Sequence, residues 1–482
     1  MLRKAATVRF FSYILGTLFT IINLFLITSL LDIFQFAVWG VANSLIFIFS
    51  QFGQLTYVQY IEKYFPNFSE KKMEFYFYKF IKTIFSTTFI WLAILFIMQY
   101  FGYFIKFNAN NLYLLFIIIA FLTSIEASIE ISSKYLLALN QTKKFDTYEL
   151  LIFKLARLGV FYFLLINGYS VYYLLLANLL IRSIFLISVI NYKNDGLLKI
   201  TKKIFQSKIF NDNFNKLSYT SFAFLIKSLM ATFLNLIFII LTIFSDNITI
   251  ANYSLGILII NNLRPIIASL SSLLTPIISV NIKNKKESID LLNIVVYINT
   301  IFIAFITFVS FFITEYEFII KYFLESFDEE IYSIIFISVF ASSLMSIYYP
   351  KYINILFSNK EKQIFKYFFI NYFFCISFYY FFYEELNFNL IYFYILFEVI
   401  NTNITRYIYK KISSSYKSPY VSFSFWFICM FFISTLVSIN LSYLYMSILF
   451  VIFLFIDMYK LYNRFSYFDI NKNHNYDIDD IS

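Results

Sequence analysis

The sequence predicts an all-α polytopic membrane protein: about fourteen transmembrane helices, arranged as two pseudo-symmetric six-helix lobes plus two C-terminal helices. Three observations carry that prediction. Of 482 residues, 60% are apolar and 14% charged, whereas an ordinary soluble chain has about 45–50% apolar and about 25% charged residues. Apolar runs near twenty residues recur along the whole length, each long enough to cross a hydrocarbon core of about 30 Å as a helix. Lys and Arg between those runs alternate sharply, dense in every second break and nearly absent from the others.

The same arithmetic excludes a soluble enzyme, a disulfide scaffold and a disordered chain. Cys375 and Cys429 both lie inside apolar runs, which argues against a disulfide framework. The single histidine, His474, stands in a polar tail without further ligands at metal spacing. Neither a metal nor a cofactor is expected. The net charge of +10 suggests nucleic acid only if the cations cluster on one solvated face, and here they are spread over many short loops. No nucleic-acid partner is expected.

Taken in order, the spans fall near residues 10 to 31, 36 to 57, 83 to 105, 112 to 138, 148 to 166 and 171 to 192. A second series follows near 217 to 244, 250 to 280, 291 to 313, 330 to 357, 364 to 383 and 390 to 409, and a final pair near 420 to 438 and 443 to 459. Loop signals separate them, among them Asn108-Ala109-Asn110-Asn111, Asn167-Gly168 and Ser245-Asp246-Asn247. Arg3, Lys4 and Arg9 ahead of the first run resemble a signal-peptide head, but the run is too long and lacks a small-x-small cleavage site, so a retained helix is expected.

Short loops rich in Lys and Arg stay cytoplasmic. With the N-terminus inside, almost every loop cation falls on the cytoplasmic side; Lys106 and Lys321 lie opposite, where Glu315, Glu317, Glu325, Asp328, Glu329, Glu330, Glu384 and Glu385 collect. Both termini are therefore expected in the cytoplasm.

The longest cytoplasmic connection, residues 193–216, divides an N-terminal six-helix lobe (1–192) from a C-terminal one (217–411). Two extra helices (412–459) and a polar tail (460–482) follow. Sliding the chain by 219 residues lays the segment from Leu112 over that from Ile331, with apolar span, basic break and next span in phase; Tyr113 meets Tyr332 and Tyr148 meets Tyr367. Such a parallel repeat is expected when each half has an even number of spans.

Eight ionisable residues stand out at bilayer depth: Glu126, Glu130, Lys154, Arg157, Arg182, Lys227, Arg264 and Glu398. Charge at bilayer depth is costly, about 2.5–3.5 kcal/mol on insertion scales, so such residues face a bundle interior or a wet cavity. At 1.5 Å per residue most lie roughly 15 Å from the cytoplasmic end, near the midplane. Two readings of Glu130 stand open: pairing with Lys154 or Arg157 across a helical hairpin, or carrying an ion. Pairing cannot absorb the whole set, because cations outnumber anions. The repeat partners of Glu126, Glu130, Lys154, Arg157 and Arg182 are Met345, Tyr349, Phe373, Ile376 and Asn401, none ionisable. One half thus looks specialised to meet an anion, and arginine in particular can grip phosphate oxygens with a two-pronged fork. Pro265, Pro276 and Pro350 give candidate bends that could free carbonyls toward a cavity.

Residues 30–66, with Phe52-Gly53 and the exit Tyr64-Phe65-Pro66, resemble the helix 1 to helix 2 region of Wzx-type polysaccharide flippases of the MOP exporter superfamily. Residues 250–279, with Tyr253 and Pro276, resemble that family's eighth helix. One departure stands out: the family often has an acid in helix 7, where this chain offers Asn235 and Lys227.

The resemblance implies a non-enzymatic carrier in the bacterial cytoplasmic (inner) membrane. Its cargo would be an undecaprenyl-pyrophosphate-linked oligosaccharide, moved across the membrane by alternating access. Lys154, Arg157, Arg182, Lys227 and Arg264 would bind substrate. Glu126, Glu130 and Glu398 would carry a coupling proton or sodium ion, and polysaccharide polymerase machinery would be a partner. Two rivals remain: a multidrug exporter of the same superfamily, for which an acidic lumen is expected, and a membrane-embedded polymerase or glycosyltransferase, for which a larger extramembrane domain is expected.

Overall fold

The structure is a computed structural model that describes residues 2–65, 68–104, 112–139, 145, 152–191, 214–280, 296–301, 303–308, 331, 334–342, 344, 361–386, 390–412, 422–436 and 448–460. No strand occurs among them. Among the described residues, the helices before residue 192 include α1 (Leu2–Leu30), α2 (Ile33–Gly53), α3 (Tyr57–Tyr64), α4 (Glu70–Ser86), α5 (Thr88–Tyr100), α6 (Leu112–Ala138), α7 (Lys154–Ile166) and α8 (Val171–Ile190). After it come α9 (Phe214–Phe244), α10 (Asn247–Val280), α11 (Glu361–Leu386), α12 (Leu390–Ile412) and α13 (Phe423–Leu436). Residues 296–308, 334–342 and 448–460 add further helical stretches.

Among the described residues, four stretches are long and apolar enough to span a bilayer: Ile33–Gly53, Glu70–Tyr100, Leu112–Ala138 and Val171–Ile190. Large apolar side chains stay exposed on their flanks, Phe89 and Ile90 on α5 and Leu180 and Ile184 on α8 among them, as lipid rather than water would demand. The chain is thus a multi-pass helical membrane protein. Of the predicted spans, residues 291–295, 309–313, 330 and 345–357 lie outside the described residues.

Predicted and observed ends differ systematically. α1 begins at Leu2 and the third span at Glu70, both well before their apolar runs. Hydropathy marks the part of a helix immersed in lipid, whereas hydrogen bonding continues the helix through charged first turns such as Glu70-Lys71-Lys72.

Both halves open with the same hairpin. Asp32 caps α2, its Oδ1 accepting from the Gln35 amide at 2.8 Å; Asp246 repeats this at α10, its Oδ1 accepting from the Thr249 amide at 2.9 Å. A side-chain acceptor at this position satisfies an otherwise orphaned first-turn donor. Gln35 then ties α2 to its neighbour, its Oε1 accepting from the Val171 amide at the start of α8 at 3.1 Å. The predicted turn at Asn167-Gly168 is present, with Gly168 at φ +71°, a conformation that glycine adopts without steric penalty.

In the N-terminal half α6 is the central post, packed by α2, α3, α4, α5 and α8; α7 lies against α1 and α8. Beyond the connection α9 packs on α11 and α11 on α12. The halves meet where α2 lies against both α9 and α10, and α1 against α10. One apolar core runs through this seam, including Phe36, Val41, Leu45, Phe233, Ile237 and Leu255. A second core, at the other end of the N-terminal half, holds α3 against α4 and α6: Phe77 stacks on Tyr135 at 4.2 Å, Tyr57 on Phe80 at 4.0 Å, and Phe65 meets Tyr135 edge-on at 6.2 Å.

Candidate functional site

α6 carries its polar residues in two rows. Ser124, Ser128 and Ser132 recur every fourth residue on one face, and Glu126, Glu130 and Lys134 on roughly the opposite one, since two residues of helix rotate the side chain by about 200°. The serine row is satisfied locally. Ser128 Oγ donates to the Ser124 carbonyl and Ser132 Oγ to the Ser128 carbonyl, each at 2.7 Å, while Ser124 Oγ meets Thr88 Oγ1 of α5 at 2.6 Å. Hydroxyls that return to their own backbone let α5 approach closely without an unpaired polar group in lipid.

The charged row makes three rungs to three elements. Arg182 of α8 grips Glu126 with two parallel bonds, Nε to Oε1 at 2.6 Å and Nη2 to Oε2 at 2.5 Å. These side chains are 13% and 27% exposed respectively, so the pair is largely removed from solvent. Glu130 accepts from Gln54 Nε2, and from Gln51 Nε2 of α2 at 3.5 Å. Lys134 binds Glu62 of α3 at 2.6 Å. The turn between α2 and α3 is what aims Gln54: just after Gly53, Leu55 sits at φ 50°, a left-handed conformation uncommon for a bulky residue.

Arg182, read from sequence as a substrate cation, thus meets Glu126, read as an ion carrier. Its guanidinium also lies 5.5 Å from the Phe185 ring. Lys154 and Arg157 are half-buried on α7, with the Arg157 guanidinium 6.0 Å from the Phe161 ring. α7 packs against α1 and α8, and the amides that reach Glu130 come from Gln51 and Gln54. A short connection makes helices adjacent in sequence, but shape and apolar area decide which ones pack. Lys227 and Arg264 fall on α9 and α10, the two helices that meet α2; their side chains lie outside the described residues.

Glu398 is buried in α12 at 1% exposure, beside a neutral cluster. Asn371 Nδ2 of α11 donates to Asn401 Oδ1 at 2.9 Å, and Cys375 Sγ to Asn371 Oδ1 at 3.4 Å. Asn401 Nδ2 and Thr405 Oγ1 have no hydrogen-bond partner among the described residues. Asp457 is fully buried, accepting from Tyr297 Oη at 2.7 Å and from the Ser424 amide and hydroxyl, each at 2.8 Å. It joins helical residues 448–460 to α13 and to residues 296–301.

Sequence reasoning missed Gln51, Gln54, Glu62 and Lys134. The signal was present for Lys134, which continues the four-residue spacing of Glu126 and Glu130. No group of three or more His, Cys, Asp or Glu side chains suited to a metal occurs among the described residues.

No family model matches the sequence, and no curated protein matches it. Solved structures of similar fold include the crystal structure of the eukaryotic MATE transporter AtDTX14, with a TM-score of 0.54 at 9% identity over 87% of this chain and 96% of that one. At that identity the likeness is one of fold.

Proposed function

We propose that this chain is a membrane transporter of the MOP type that moves a lipid-linked, anionic oligosaccharide across the cytoplasmic membrane by rocking its two halves about the α1–α2/α9–α10 seam. The fold it shares with a MATE transporter supports the carrier part of this reading. The cargo part rests on one observation: α2 packs against both α9 and α10, and those helices carry Lys227 and Arg264. Two cations thus stand on the helices that border the seam, where a pyrophosphate could be held at mid-depth while its lipid tail remains in the bilayer. Lys154 and Arg157 add positive charge on α7. Arg182, neutralised by Glu126, is reassigned to holding α8 on α6.

Glu130 and Glu398 are the carboxylates proposed to take up a coupling proton or sodium ion. Both termini would lie in the cytoplasm, and polymerase machinery would receive the translocated product.

A second reading, export of cationic drugs, is favoured by a specific feature: Glu126 and Glu130 of α6 and Glu62 of α3 bring three carboxylates to one polar row. A deletion strain separates the two. The flippase reading expects lipid-linked glycan to accumulate in the inner leaflet with unchanged drug susceptibility. Increased susceptibility to cationic drugs without glycan accumulation would establish the exporter instead.

A further inference from the structure

Gln59 of α3 is 6% exposed, and neither its Nε2 nor its Oε1 has a hydrogen-bond partner among the described residues. Buried polar groups in folded chains are almost always bonded, and each exception calls for a reason. Among the described residues no other side-chain amide has both of its polar atoms buried and unmatched. Gln51 and Gln54, at the end of α2, are buried as well, but both reach Glu130.

The helix sets the direction of this amide. Tyr57 and Ile61 stand two residues to either side of it, about 200° round the helix, and they pack into the aromatic core with α4 and α6. Glu62, one turn further on, reaches Lys134 of α6 at 2.6 Å. Gln59 therefore faces away from the aromatic core, and α9 and α10, which also pack on α3, are left to cover it. α9 passes close by. Ser228, next to Lys227, donates to the Gln51 carbonyl at 3.4 Å, and Phe224 meets Phe52 edge-on at 6.5 Å. The amide thus stands on the seam side of α3, near the stretch of α9 backbone that bears Lys227.

A ligand that satisfies it must accept from Nε2 and donate to Oε1 at once. A bare cation would leave the N–H groups unmatched, and an ionised phosphate would leave the carbonyl oxygen unmatched. Neighbouring hydroxyls of a sugar ring do both. We propose that Gln59 binds the saccharide part of the cargo, at the sugar next to the pyrophosphate. The inference rests on the flippase reading above and on the rocking it entails, since Gln59 is covered in this structure and meets cargo when the halves part on that side. It adds a neutral contact on α3 to the cations on α9 and α10.

The full-length chain, purified in detergent, is titrated with two probes: undecaprenyl pyrophosphate, and the same lipid carrying one N-acetylglucosamine. Wild type should bind the sugar-bearing probe more tightly. Gln59→Leu should weaken that probe by about two- to tenfold, the worth of a lost hydrogen bond or two, and leave the bare pyrophosphate unchanged. Its melting temperature without ligand should equal or exceed that of wild type, because an apolar side chain of similar size breaks no bond there. An amide that served the fold would give the opposite sign. Gln59→Met, which keeps the unbranched shape, repeats both readings if Gln59→Leu does not accumulate.

A lowered melting temperature or lost accumulation in both variants would overturn the inference, as would an equal loss for the two probes or no loss for the sugar-bearing one. Wild-type protein that binds the two probes equally would overturn it too and leave the flippase reading standing. Wild-type protein that binds neither probe would overturn that reading and this inference with it.

Discussion

Positions 182 and 401 correspond under the 219-residue repeat, yet the two halves use them differently. In α8 position 182 is an arginine that reaches α6 and grips Glu126 by two bonds. In α12 position 401 is an asparagine that, among the described residues, accepts one amide bond from Asn371 of the preceding helix. At these two positions α8 is fastened to α6 by opposed charges and α12 to α11 by neutral amides. A charge pair away from water holds firmly while both partners are present and fails when one is removed. An amide pair is weaker and more tolerant.

That contrast breaks most visibly at Glu126. Replacement by Gln leaves the Arg182 guanidinium facing an uncharged group and should destabilise the protein by about 2–5 kcal/mol, read as a lowered melting temperature in detergent. Arg182→Gln alone should cost a similar amount, and Glu126→Gln with Arg182→Gln should recover a good part of it. Additive losses in the double variant would show that the pair does not couple α6 to α8.

Glu130→Gln is expected to do less to stability, about 1.5–3 kcal/mol for hydrogen bonds to a charged acceptor, since Gln51 and Gln54 can still donate to an amide oxygen. If Glu130 carries the coupling ion, the pH or sodium dependence of transport should flatten while abundance holds. A variant with wild-type stability and wild-type ion dependence would have neither role.

The amide side of the comparison predicts smaller numbers. Asn401→Ala removes one bond and one unpartnered Nδ2, and should shift stability by about 1 kcal/mol. Lys134→Gln should fall lowest, at or below about 1 kcal/mol, because a partly exposed ion pair is screened. If Asn401→Ala proved as damaging as Glu126→Gln, the distinction between charged and neutral fastening would be lost.

What the sequence revealed and concealed follows from which forces are local. Hydropathy located α2, α6, α8, α11 and α12 because their burial in lipid is written into every residue. Asn167-Gly168 announced its turn because only a few residues adopt that backbone. Glu126 and Arg182 were recognisable as costly charges, but that they meet each other depends on α8 packing against α6, a choice made by surface shape. The bonds from Gln51 and Gln54 to Glu130 depend on a packing choice too, that of α2 against α6. Gln51 and Gln54 carry no charge, and nothing marked them until Leu55 turned the chain beside α6.

The central claim is that the cations on the seam helices, and not Arg182, meet an anionic cargo. Lipid-linked oligosaccharide translocation in complemented deletion cells, normalised to membrane abundance, tests it directly. Lys227→Gln and Arg264→Gln should each abolish translocation at normal abundance, with Arg264→Lys restoring only part of it, because an ammonium supplies charge without the guanidinium fork. Arg182→Gln should instead lower abundance and, per molecule inserted, retain translocation. Wild-type translocation by both Lys227→Gln and Arg264→Gln would contradict the account.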